Sequence, residues 1–129
     1  MEVSLKDTNI LLTGDTLNDT IKEIPERCFE KHIHILKIPH HGSDTSSALY
    51  DSKKIKDIDV SCTTVYRMGN SNLPLDVVMN EYKNKSECIY CTGRKNSLEE
   101  PDKYGIVKIT TDVLRNKYSV EKIGNADLW

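Results

Sequence analysis

Asp15 and the adjacent pair His40 and His41 are the residues whose types suit chemistry at one centre. A carboxylate and imidazoles together ligate borderline divalent cations such as zinc, manganese or iron. Asp15 closes the run "NILLTGD", where an apolar strand passes through Gly14 into the acid. The histidines follow a second apolar run through Pro39, in "ILKIPHHGSDTSS". Gly14 and Gly42 let the backbone approach a ligand closely, and Pro39 stiffens the approach to His40. If the two strands are parallel neighbours, all three side chains open onto one edge of a sheet, where α/β proteins build their sites. A blander reading competes: Asp15 caps the following helix, and the histidines are ordinary loop residues. Loss of Asp15 would then cost only about 1 kcal/mol.

The elements that must position these groups follow from the patterning. Residues 8–15, "TNILLTGD", form a strand, followed by a helix with Asp15 or Thr16 as cap, apolar positions Leu17, Ile21 and Ile24, and an interruption at Pro25. "HIHILKI", 32–38, is a second strand. "SDTSSALYDSK" offers Ser43, Asp44, Thr45 or Ser46 as the cap of a short helix. "DIDVSCTTVYR", 57–67, is a third strand. "SNLPLDVVMNEYKNK" is a helix with Pro74 in its first turn and Val77, Val78 and Tyr82 on its apolar face. "SECIYCT" is a fourth strand, "RKNSLEEPDK" a solvated loop, and "YGIVKIT" with "KYSVEKI" an antiparallel pair. The order predicts an α/β or α+β domain whose sheet is covered by helices. The tail, 124–129, is expected to fray unless Trp129 docks.

Other potential ligands carry weaker signals. His32 and His34 are spaced H-x-H and share a strand face, but sit inside an apolar strand, so they read as structural or surface residues. Cys88 and Cys91 form a C-x-x-C. Alternation in "ECIYCTG" sends them to opposite faces, and no second close pair completes a zinc site. They read as ordinary strand cysteines in a reducing compartment.

The bulk numbers set bounds. The chain has 129 residues, 37% hydrophobic and 29% charged, with a formal net charge of −2. That suits one soluble domain with a modest core. The charge offers no basic footprint for nucleic acid. No apolar run approaches the roughly 20 residues that span a bilayer, and the N-terminus lacks a leader pattern, so a cytoplasmic location is expected.

Taken together, "NILLTGD" and "HILKIPHHGSDTSS" resemble the second half of a metallo-β-lactamase-fold hydrolase, most of all the ComEC-like branch of competence proteins and their soluble relatives. The likeness extends through "DIDVSCTTVYRMGNSNLP", "LDVVMNEYKNKSECIYCTG" and "YGIVKIT", so it covers residues 8 to about 110. It implies an αββα-type α/β fold, with residues 1–129 supplying half of the sandwich as a mixed sheet flanked by helices. It also implies a dinuclear centre, two divalent ions per complete site, zinc or alternatively manganese or iron. Asp15 maps onto the bridging aspartate. One histidine of the pair maps onto a ligand and the other onto a helper beside the substrate. His41 is favoured as the ligand and His40 as the helper, with His40 as ligand left open. A metal-bound hydroxide would attack a phosphodiester or another ester.

The resemblance also implies what this chain lacks. The family's H-x-H-x-D-H motif occurs nowhere in it, and "HIH" followed by "ILK" is no displaced copy. Leu73 stands where the branch often has histidine. Two ligands cannot fill the coordination of two metals. The expected partner is therefore a missing N-terminal half or a separate subunit, and the chain alone is expected to be inactive. The alternative expectation is a non-catalytic or vestigial binding or scaffold domain. The substrate class expected for the hydrolase is a small phosphoester or ester, or a nucleic acid.

Overall fold

The computed structural model describes residues 1–51, 55, 57–68, 70–93, 105–112, 114, 115 and 117–129. Its centre is a mixed sheet in the order β1-β2-β3-β4-β7-β10. The strands are β1 (Glu2–Leu5), β2 (Thr8–Leu12), β3 (Ile33–Lys37), β4 (Ile58–Thr63), β7 (Ser86–Cys91) and β10 (Asp127–Leu128). β2, β3, β4 and β7 run parallel, and β1 and β10 close the two sides antiparallel. The protein is thus mixed α/β, as its sequence predicts.

The parallel strands follow chain order, so each crossover returns on the same side. The helices α1 (Asn18–Glu23), α2 (Ala48–Asp51) and α3 (Asp76–Lys83) accordingly share one core. Ile21, Leu49, Val78, Met79 and Tyr82 from these helices pack with Leu36, Ile38, Ile58 and Ile89 from the sheet. Burying each large apolar side chain there contributes about 1.5–3 kcal/mol. Ile35 and Val60 are buried outside that cluster. The antiparallel pair β8 (Gly105–Asp112) and β9 (Lys117–Gly124) forms as predicted. Among the described residues no helix is long and apolar enough to cross a membrane.

Several expectations are corrected. Asp15 does not cap α1; the N-cap is Leu17, with no side-chain cap bond. The strand expected over 57–67 stops at Thr63, because the Val65 amide turns to the Thr92 hydroxyl rather than to a ladder partner. The chain then forms a small hairpin, β5 (Tyr66–Met68) with β6 (Ser71–Leu73), where the sequence predicts that 71–73 open a helix. Pro74 therefore precedes α3 rather than sitting in its first turn. The buried face of α3 is Val78, Met79 and Tyr82, leaving Val77 63% exposed. Leu75, Val78, Met79 and Tyr82 form the i, i+3, i+4, i+7 stripe that faces the core. β10 covers β7, whose open edge would otherwise be a liability, and Trp129 docks on the core with its amide on the Ile89 carbonyl, 3.0 Å. The loop expected over 94–103 lies outside the described residues.

Candidate active site

The carboxyl-terminal ends of β2, β3 and β4 meet at one edge, and each brings a polar group. Asp15 follows β2, His40 and His41 follow β3, and Thr64 follows β4. The first turn is knit to the second strand through the Thr13 hydroxyl, which donates to the Lys37 carbonyl. The Thr16 hydroxyl donates to the Thr13 carbonyl within the same turn. Ser43 caps the next short turn, accepting from the Thr45 amide at 3.3 Å.

The backbone between β3 and that turn is unusual. His40 (φ 45°) and His41 (φ 56°) both lie in the left-handed region, followed by Gly42 (φ 78°). An L-residue held there costs roughly 1–2 kcal/mol. A Cβ on Gly42 would fall 2.6 Å from the Pro74 Cβ, so glycine is also required for space. Strain kept by surrounding structure concentrates where a side chain must be aimed. Here it turns the His41 ring toward Asp15, after β2, and the His40 ring toward Thr45.

The Nε2 of His41 stands 3.5 Å from the Asp15 Oδ1, and its Nδ1 is 2.7 Å from the Thr64 hydroxyl. A ring that donates its Nδ1 proton to Thr64 presents an unprotonated Nε2 toward Asp15, which is the state a metal ligand needs. Tyr66 packs against the same ring, with centroids 5.1 Å apart. His40 is directed elsewhere: its Nδ1 is 2.7 Å from the Thr45 hydroxyl, and its ring centroid is 6.5 Å from that of His41. The structure therefore joins Asp15 with His41 and sets His40 beside the pair.

These groups line an open cavity of about 480 Å³, whose far wall is the β5–β6 hairpin with Asn72 and Leu73. Asp15 and Asp44 contribute carboxylates, and no Lys or Arg belongs to its described lining. Lys37, the last residue of β3, sets its ammonium on the Ile38 carbonyl at 2.6 Å. Burial holds the Lys37 pKa below the usual lysine value, against the opposing pull of Cys62, Asp15 and Cys91.

Thr64 and Tyr66 are not legible as site residues in the sequence, because its patterning puts both inside one continuous strand, 57–67. The threonine doublet at the end of an apolar run was the available signal. Asp59 carries no signal in the sequence either, yet the structure brings it to His32 and His34 at the other edge of the sheet. Cys91 is buried and Cys88 exposed, on opposite sides of β7 as alternation predicts.

Comparison with protein-family models, with curated proteins and with solved structures gave no match for this chain.

Proposed function

We propose that the Asp15–His41 edge is part of the active site of a metal-dependent hydrolase of the metallo-β-lactamase type, acting on a phosphodiester or another ester. The observation that carries this reading is the His41 ring, held by Thr64 at one nitrogen and facing Asp15 with the other. The donor set fits zinc, manganese or iron, with Asp15 and His41 as the ligands. A divalent ion held there would supply a nucleophilic hydroxide at neutral pH. The chain's own groups do the rest. Thr64 fixes the ring, His40 stands at the cavity with Nε2 left for a substrate oxygen or proton, and the hairpin bounds the substrate. The described lining carries carboxylates without Lys or Arg, so an anionic substrate would meet repulsion unless cations neutralise it.

A second reading is favoured by one observation. Asp15 and His41 converge while His40 turns to Thr45, so two protein ligands meet at this edge. Two ligands make a weak centre unless a partner segment adds more. Under this reading the domain binds or scaffolds and does not turn over substrate.

The test uses the complete reading frame, including whatever coding sequence precedes the Met1 codon. Metal-dependent hydrolysis of an activated phosphodiester is expected from that product, and Asp15→Ala should abolish it. Wild-type turnover in Asp15→Ala would sink the hydrolase reading. A stop codon directly upstream, with no metal-dependent turnover from the chain, would favour the binding domain.

A further inference from the structure

The opposite edge of the sheet carries a second cluster. His32 precedes β3, His34 lies within it, and Asp59 is the second residue of β4. β3 and β4 are parallel, with Ile33 opposite Ile58 and Ile35 opposite Val60. That register sets the H-x-H pair beside Asp59 where the strands begin. The length of β3, at about 3.3 Å per residue, separates them from His40 and His41.

We infer that His32, His34 and Asp59 form a separate binding site for a divalent transition-metal ion. One ligand atom from each residue lies within 4.8 Å of the others. The His32 Nε2 is 2.6 Å from the Asp59 Oδ1, and the two imidazole rings meet edge to face at 4.6 Å. Tetrahedral coordination with bonds of ~2.1 Å places ligand atoms about 3.4 Å apart, so small rotations of these side chains accommodate the ion. Side-chain exposure of 45% for His32 and 18% for Asp59 lets an ion enter from solvent while the carboxylate stays oriented. Two imidazoles with one carboxylate select zinc, cobalt, nickel or copper over magnesium or calcium. Water completes the coordination.

Metal loading has a footprint on β2. The Asn9 backbone N–H donates to the His34 Nδ1 at 3.1 Å. Ligation through Nδ1 occupies the lone pair that accepts this bond. Ligation through Nε2 moves the ring proton onto Nδ1, which then cannot accept. Either mode releases the Asn9 amide, whereas the His32–Asp59 contact without metal leaves it in place.

The experiment titrates the full 129-residue chain with Zn²⁺ alone and follows amide resonances by nuclear magnetic resonance. The Asn9 amide is expected to shift saturably at a midpoint that His32→Gln and Asp59→Asn each weaken by roughly tenfold or more. Asp15→Ala should leave this response intact, which separates it from the site at the other edge. An Asn9 resonance unmoved by Zn²⁺ overturns the inference, as does a wild-type midpoint in His32→Gln. His32 is half-exposed, so that variant remains informative even if Asp59→Asn fails to fold.

Discussion

The His40 amide donates to the Gly14 carbonyl across 2.9 Å, joining the turn after β2 to the turn after β3. Neither turn belongs to the sheet ladder, so this bond ties the two strand ends together beyond the last ladder pair, Leu12 with Lys37. Asp15 and His41, each adjacent to one of these residues, face each other as a result. The left-handed backbone at Gly14 (φ 59°) and Gly42 (φ 78°) makes that geometry available.

Alanine at these two glycines should separate strain from crowding. Nothing lies within 4 Å of a Cβ on Gly14, so Gly14→Ala carries the left-handed penalty alone, about 1–2 kcal/mol. Gly42→Ala adds the clash with Pro74 and should cost more. Urea denaturation midpoints check the order, and equal losses would contradict the crowding argument.

Thr64→Val keeps a side chain of similar shape but removes the partner of the His41 Nδ1. If that edge holds zinc as proposed, Thr64→Val should weaken its affinity there about 10–100-fold with the fold retained, and Thr64→Ser should restore it. Calorimetric titration of the three forms reads the effect. An unchanged affinity in Thr64→Val would mean that the ring needs no such partner.

The Tyr82 hydroxyl is buried without a hydrogen-bond partner among the described residues, and its ring meets Tyr50 edge to face at 5.4 Å. Burial, then the neighbouring Tyr50 and Asp51, pushes its pKa far above the ordinary tyrosine value. The native state therefore keeps this proton at pH values where the unfolded chain loses it. Its contribution is complete below about pH 10 and declines above it, by up to about 1.4 kcal/mol per pH unit. Tyr82→Phe should leave stability at pH 7 within about 1 kcal/mol of wild type or higher, because it removes an unpaired hydroxyl. It should also flatten the alkaline decline. Parallel curves for the two proteins above pH 10 would contradict this.

Alkylation should divide the cysteines by burial. All four are free; Cys28 and Cys88 are exposed, Cys62 is half-buried and Cys91 is buried. Burial pushes the Cys62 and Cys91 thiols up, which lowers their thiolate fraction further. Mass spectrometry after brief iodoacetamide treatment at neutral pH should find Cys28 and Cys88 modified first. Early modification of Cys91 would show that β7 opens readily.

What the sequence determined by itself is the set of groups at one edge. An apolar strand ending in Gly-Asp, then a helix, then an apolar strand ending in Pro-His-His, places those residues together once the crossover is right-handed and the strands are parallel. Local patterning also fixed the opposite sides of Cys88 and Cys91 and the β8–β9 pair. Tertiary structure alone decided which groups those residues meet. Thr64 reaches His41 because the Val65 amide leaves the ladder for Thr92, a contact between distant segments. Asp59 reaches His32 because β4 pairs with β3 in one register, and a slip of one residue would turn it to the other face. The tail pairs with β7 at that strand's open edge, and α3 buries Met79 rather than Val77 because Met79 lies on one stripe with Leu75, Val78 and Tyr82. Periodicity reports which residues prefer burial. Register, strand ends and edge cover follow from how the whole chain competes to satisfy its backbone hydrogen bonds.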